Sequence, residues 1–113
     1  MNTLGQDAEA QAAEFLLARG IRLIARNWQC KLGELDLIGW DGKTLVFFEV
    51  RQRKSSRFGG AAASITLSKQ KKLWRCAQVY LQTMPVTPPC RFDAVLFDGN
   101  QAPEWLQHIL EFA

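Results

Sequence analysis

Residues 33–51 of the chain read GELDLIGWDGKTLVFFEVR, and this stretch decides the fold. Two runs rich in apolar and aromatic residues flank the pair Asp41-Gly42. An Asp-Gly pair in that setting is the strongest short-range signal for a β-hairpin. We therefore predict two antiparallel strands joined by a two-residue turn at Asp41 and Gly42.

The predicted register of this hairpin places acidic side chains on one face of the sheet. The turn puts Asp36 opposite Phe47, and because side chains alternate along a strand, four of them emerge on the same side. These four are Glu34, Asp36, Glu49 and Arg51. Asp36 and Glu49 become diagonal neighbours, about 7–8 Å apart at the backbone. Such carboxylates repel each other unless a cation, a proton or a basic group lies between them. The pattern indicates a metal site, and a solvated polar face is the alternative.

Length and composition indicate one globular domain. The chain has 113 residues, of which 48% are hydrophobic and 22% are charged. No apolar run approaches the roughly 20 residues that a membrane-spanning helix needs. The first residues lack a basic region followed by an apolar core, so we expect a cytoplasmic protein that is not membrane-bound. Cys30, Cys76 and Cys90 form no Cys-x-x-Cys pair, and we interpret them as small buried hydrophobic residues rather than a zinc site.

Positive charge is concentrated in the middle of the chain. Nine of the fourteen Lys and Arg residues lie between Val50 and Phe92, a stretch that contains no Asp or Glu. This segregation predicts a polyanionic partner such as nucleic acid, although a merely solvated basic face is the alternative. The predicted nucleic-acid contacts in this segment are Arg53, Lys54, Arg57, Lys69 and Lys72.

Periodicity and turn signals predict the element order α-β-β-β-α-β. The predicted elements are a helix from Thr3 to Arg19, a strand from Ile21 to Trp28, the hairpin, a helix from Thr66 or Ser68 to about Met84, and a strand from Arg91 to Phe97. The segment from Ala102 to Ala113 is predicted to form a short last helix. Helices alternating around a hairpin imply a mixed α/β sheet covered by helices, with the last strand parallel to its neighbour through a crossover.

Several motifs together resemble those of the YraN family of small bacterial proteins. They are Gly5-x-x-Ala8-Glu9-x-x-Ala12-Ala13, Gly20, Arg26-Asn27-Trp28, the stretches Gly33–Ile38 and Val46–Arg53, Lys69, and Arg91-Phe92-Asp93. That family is similar to the PD-(D/E)XK nuclease superfamily, most closely to archaeal Holliday-junction resolvases.

The resemblance implies a restriction-endonuclease-like core over residues 1–113 and a metal-dependent endonuclease that hydrolyses phosphodiester bonds in DNA, including branched DNA. It implies that Asp36 and Glu49 are the catalytic acids and that Glu9 is an accessory ligand, so that the three hold Mg²⁺ or Mn²⁺. A resolvase would also need two active sites and hence a homodimer.

Arg51 departs from the pattern of that superfamily, which has lysine at this position. Arginine keeps its proton at accessible pH and cannot act as a base, although it could hold a water or a phosphate oxygen, and Lys69 is a candidate for the missing ammonium group. A catalytically inactive nucleic-acid-binding module on a nuclease scaffold is therefore the alternative function. A protein-interaction domain that uses the sheet edge and the apolar tail is the third.

Overall fold

The computed structural model describes residues 4–53, 60–99 and 101–110. Its elements are α1 (Leu4–Ala18), β1 (Arg22–Cys30), β2 (Gly33–Asp41), β3 (Thr44–Arg53), α2 (Gly60–Ala63), α3 (Leu67–Leu81), β4 (Cys90–Asp98) and β5 (Glu104–Leu106). The predicted mixed α/β architecture and the order α-β-β-β-α-β are confirmed, with α2 as a short addition before α3. None of the described helices is both long and apolar enough to cross a bilayer.

The five strands form one sheet in the order β1-β2-β3-β4-β5. β1, β2 and β3 are antiparallel neighbours, β3 and β4 run parallel, and β5 pairs antiparallel with β4. The parallel pair is the one predicted, because a helix-containing connection of this length allows a crossover to the same end of the sheet.

A helix covers each face of the sheet. Ala12 and Leu16 of α1 belong to a buried cluster with Leu37 and Phe48. A second cluster, which contains Leu73, Cys76 and Ala77 of α3, includes Ile38 and Phe47. Leu37 and Ile38 of β2, like Phe48 and Phe47 of β3, therefore point to opposite cores, which explains why the Leu-Val-Phe-Phe run of β3 is apolar on both sides.

Both long helices have physical start or stop signals. α1 ends at Ala18, and Gly20 two residues later has a φ of +90°, which is accessible to glycine. Its last carbonyls are satisfied by Gly20 N–H, which donates to Leu17 O (3.2 Å), and by Ile21 N–H, which donates to Leu16 O (3.1 Å). At the start of α3, Thr66 rather than Ser68 is the cap, since its side chain accepts a hydrogen bond from Lys69 N. The predicted start of α1 at Thr3 lies outside the described residues.

The hairpin forms, but its predicted register is wrong by two residues. Asp41 pairs with Thr44 and Ile38 pairs with Phe47, so the turn consists of Gly42 and Lys43. Gly42 takes the positive φ of +61° that the first turn position requires. A shift of two residues preserves the alternation of side chains, and the predicted faces therefore survive the error.

β2 and β3 separate beyond the pair Leu37–Phe48. Their pairing ends there, whereas β2 remains paired with β1 as far as Gly33 and β3 remains paired with β4 as far as Arg53. The two strands thus diverge like the arms of a fork, and each arm is held by its outer neighbour. We call this opening the sheet fork.

The predicted helix from Ala102 to Ala113 is wrong for the described residues, since Glu104–Leu106 forms β5 and residues 101–110 contain no helix; residues 111–113 lie outside the described part of the chain. Trp105 lies opposite Val95 in the β4–β5 ladder, and Trp105 Nε1 donates a hydrogen bond to Asp93 Oδ2 (2.9 Å). His108 N–H also donates to the fully buried Asp93 carboxylate, at 3.1 Å. Asp93 additionally pairs with Arg91, the basic side chain two residues before it. These tertiary bonds hold the tail extended, and they override its helical spacing of apolar residues.

Candidate metal centre

The sheet fork opens into a pocket of about 610 Å³. One wall comes from the start of β2, and the other comes from the second half of β3. The pocket is completed by Ala8 and Glu9 of α1 and by residues near the start of α3, including Lys69 and Lys72. Because the strands separate here, side chains from both helical layers reach the same space.

Three carboxylates converge in this pocket. One oxygen each from Glu9, Glu34 and Asp36 lies within 4.8 Å of the others. Glu9 comes from α1, whereas Glu34 and Asp36 are alternate residues of β2. Three carboxylate oxygens at this separation are a suitable donor set for a hard divalent cation, which takes oxygen ligands and retains several waters.

Asp36 lies at the branch point of the fork. Its Oδ2 accepts a hydrogen bond from the Val50 backbone N–H (2.9 Å). The carboxylate therefore satisfies a donor of β3 at the point where the β2–β3 ladder has ended. This bond fixes one oxygen of the carboxylate, Oδ2, against the β3 arm.

The pKa of the Asp36 carboxyl is raised from 3.8 to about 9. Burial is the largest cause, the negative charge of Glu49 is the second, and hydrogen bonding with the carboxyls of Glu49 and Glu34 adds to both. The Val50 N–H opposes the rise. The raised pKa of Asp36 thus reflects its burial together with the carboxyl groups crowded around it.

Glu9 is subject to the same crowding. Burial and the charges of Glu34 and Glu49 raise its pKa, and Arg26 partly offsets them. Asn27 holds the Glu9 carboxylate from β1. In the amide orientation that satisfies both groups, the Asn27 side-chain nitrogen donates to Glu9 Oε1 (2.5 Å) and Oε2 (3.2 Å). Asn27 itself has a left-handed φ of +49°, which asparagine tolerates better than most residues.

Glu49 and Arg51 lie in the same pocket on the β3 arm. Arg51 Nε approaches Glu49 Oε1 at 3.4 Å. Their side chains are 23% and 15% exposed, so both are largely shielded from bulk water. Glu49 therefore lies next to the carboxylate trio. Its negative charge acts on Asp36 and is in contact with the guanidinium of Arg51.

The predicted nucleic-acid contacts fall into three groups. Lys69 and Lys72 line the pocket from α3. Arg53 is exposed at the end of β3, outside the set of described residues that line the pocket. Lys54 and Arg57 lie outside the described residues.

Two residues of this centre were not assigned roles from the sequence. Glu34 was placed on the correct face, but no ligand role was given to it, although its i, i+2 spacing from Asp36 is the signal that indicates one. The sequence places Asn27 in the first predicted strand and in the Arg26-Asn27-Trp28 motif. Neither that motif nor the tolerance of asparagine for positive φ predicts a contact with a helix.

The fold and the pocket define a small α/β protein in which a forked mixed sheet carries a cluster of carboxylates. The chain belongs to the family described as "Uncharacterised protein family UPF0102", whose model matches residues 8–97. This agrees with the YraN resemblance.

Similar proteins of this family occur in several bacteria. A UPF0102 protein of Janthinobacterium sp. (strain Marseille) is 50% identical over 107 residues, which cover 95% of this chain and 86% of the relative. A UPF0102 protein of Nitrosomonas eutropha is 50% identical over a match that covers 95% of this chain and 92% of the relative. A UPF0102 protein of Neisseria gonorrhoeae is 51% identical over 108 residues, which cover 95% of this chain and 91% of the relative.

Proposed function

We propose that this protein is a divalent-cation-dependent endonuclease that hydrolyses phosphodiester bonds in DNA. The observation that carries the proposal is the convergence of Glu9, Glu34 and Asp36, with oxygens within 4.8 Å of one another, in an open pocket that lysine side chains also line. The resemblance to PD-(D/E)XK nucleases, given above, supports the same chemistry.

The carboxylates are suited to hold Mg²⁺ or Mn²⁺. When bound, such a cation polarises a phosphate, lowers the pKa of a coordinated water and neutralises developing charge. Glu9 and Asp36 come from different layers of the fold, and each is held by a hydrogen bond, from Asn27 and Val50 respectively. These bonds position the ligand oxygens before a cation arrives, which is the role of groups surrounding a metal site.

The α3 side of the pocket supplies positive charge. Lys69 and Lys72 of α3 line it together with Glu34 and Asp36 of the β2 arm. A phosphodiester placed between the two sides would meet a cation on one side and ammonium groups on the other. Because an arginine guanidinium cannot act as a general base, the part of Arg51 is to hold a phosphate oxygen or a water.

Cleavage assays on linear duplex, single-stranded and four-way-junction DNA with Mg²⁺ or Mn²⁺ test the proposal. We expect metal-dependent nicking that EDTA abolishes and that Asp36→Asn and Glu9→Gln reduce by at least about a hundredfold. Glu14→Gln is the matched control, because Glu14 lies on α1 but is exposed. Intact DNA in all lanes, with the wild-type protein folded and metal present, would refute an endonuclease.

A second candidate function is DNA binding without cleavage. The Arg51–Glu49 contact favours it, because an arginine in the position of the usual lysine ties up a carboxylate and cannot accept a proton. The Arg51→Lys variant separates the two candidates. Metal-dependent cutting gained only in this variant would establish the binding module, whereas cutting by the wild type would exclude it.

A further inference from the structure

Two cysteines far apart in sequence meet beside the pocket. Cys30 Sγ, at the end of β1, lies 3.2 Å from Cys76 Sγ of α3, and the two thiols share a hydrogen bond. Cys76 is completely buried, whereas Cys30 is partly exposed. The sequence spacing gave no sign of this contact, since 46 residues separate the two positions.

The surroundings favour a reactive thiolate at Cys30. The hydrogen bond from Cys76 lowers the pKa of Cys30, and the backbone N–H groups of Leu32 and Gly33 act in the same direction. Burial raises the pKa of Cys76, so Cys30 is the thiol of the pair that loses its proton first.

We propose that Cys30 and Cys76 are a dithiol pair that forms a reversible intramolecular disulfide by exchange with a low-molecular-weight disulfide such as oxidised glutathione. The 3.2 Å contact between an accessible and a buried sulfur carries the proposal. It is independent of the proposed nuclease activity.

The exchange proceeds in two steps that balance. The Cys30 thiolate attacks one sulfur of oxidised glutathione, forms a mixed disulfide and releases one glutathione thiolate. Cys76 Sγ then attacks Cys30 Sγ and breaks the mixed disulfide, and its proton passes to the second departing glutathione. The two protein thiols lose two electrons in total, and oxidised glutathione is reduced to two thiols.

The disulfide would link β1 to α3 at positions close in sequence to Leu32 and Leu73, which line the pocket. Cys76 lies one helical turn after Lys72, and Cys30 precedes Glu34 by four residues. Oxidation would therefore tie the end of β1, which precedes the acidic arm of the sheet fork, to the basic helix α3.

Thiol counting in a Cys90→Ser background tests the proposal. Cys90 is the exposed third cysteine, and its removal leaves only the pair. We expect folded protein incubated with oxidised glutathione to lose both thiols together and to lose two hydrogen atoms in intact mass. A peptide map should show the Cys30–Cys76 link, and dithiothreitol should restore both thiols.

Single replacements in the same background complete the test. Cys76→Ala should accumulate a lasting glutathione adduct on Cys30, and Cys30→Ser should leave the buried Cys76 unmodified. A lasting glutathione adduct in the protein with both cysteines, a dimer linked between chains, or two thiols that do not react would each overturn the proposal. None of these readouts depends on metal or DNA, so they stand apart from the nuclease assay.

Discussion

The raised pKa of the Asp36 carboxyl makes the stability of the folded protein depend on pH. Its pKa of about 9 in the folded protein lies far above the ordinary value of 3.8. Between these two values the folded protein keeps a proton that the unfolded chain has lost. The stability that this proton contributes is complete below about pH 4 and is lost as the pH rises towards 9.

We therefore predict that, with EDTA present, the free energy of unfolding falls as the pH rises from about 5 to 8, by up to about 1.4 kcal/mol per unit. Asp36→Asn should flatten this dependence and stabilise the protein at about pH 8. Glu14→Gln should leave the slope unchanged, because Glu14 is exposed. Urea unfolding at several pH values measures the free energy of unfolding. An equal dependence of this free energy on pH in wild type and Asp36→Asn would contradict the prediction.

Asn27 positions Glu9 at a cost to its own backbone. Its amide donates to the Glu9 carboxylate, and its φ is +49°. Glycine adopts this φ freely but has no side-chain amide to donate to Glu9. Alanine also lacks the side-chain amide, and in addition it resists a positive φ.

We predict that Asn27→Gly lowers Mn²⁺ affinity roughly tenfold or more with little loss of stability. Asn27→Ala should show the same decrease in Mn²⁺ affinity, and its free energy of unfolding should be lower than that of Asn27→Gly by about 1–2 kcal/mol. Calorimetric Mn²⁺ titration and urea unfolding of both variants separate the two effects. Wild-type Mn²⁺ affinity in Asn27→Gly would show that the amide does not position Glu9.

At the scale of elements, the hairpin shows what local sequence specifies. Alternation fixed the faces of Glu34, Asp36, Glu49 and Arg51, which all line the pocket. The two-residue register error left those faces unchanged because the side-chain period of a strand is two. The sheet fork could not be predicted in this way, since it arises because β1 and β4 hold β2 and β3 apart. Likewise, the helical pattern of the tail gave way to the bonds of Trp105 and His108 with Asp93.

Helix α3 divides its lysines between the pocket and its other faces. All three lysines are exposed, but Lys69 and Lys72 line the pocket, whereas Lys71 is not among the described residues that line it. Only the first two are placed to meet a phosphate inside the pocket.

We predict that Lys72→Gln reduces the log–log salt slope for duplex DNA binding by about 0.9, the value for one lost phosphate contact. Lys71→Gln is the matched control and should change the salt slope less. Fluorescence anisotropy over a salt series, with Ca²⁺ in place of Mg²⁺ to suppress cleavage, measures both slopes. Equal slopes for the two variants would show that DNA does not approach through the pocket.

The molecule as a whole joins two helical layers through one opening in its sheet. Glu9 reaches the opening from the α1 side, Lys69 and Lys72 reach it from the α3 side, and the β2 arm supplies Glu34 and Asp36. The composition of the chain anticipated this separation of charge, because its basic residues are concentrated after Val50. The three-dimensional meeting of Glu9 with Glu34 and Asp36 required the fold itself.

A crystal of the wild-type protein soaked in millimolar Mn²⁺ at about pH 8 tests this arrangement most directly, because Mn²⁺ replaces Mg²⁺ at oxygen sites and scatters anomalously. We predict an anomalous peak in the pocket about 2.2 Å from carboxylate oxygens of Glu9, Glu34 and Asp36. A pocket without a peak, in a crystal where Mn²⁺ occupies other carboxylates, would contradict the assignment of this cluster as a metal centre.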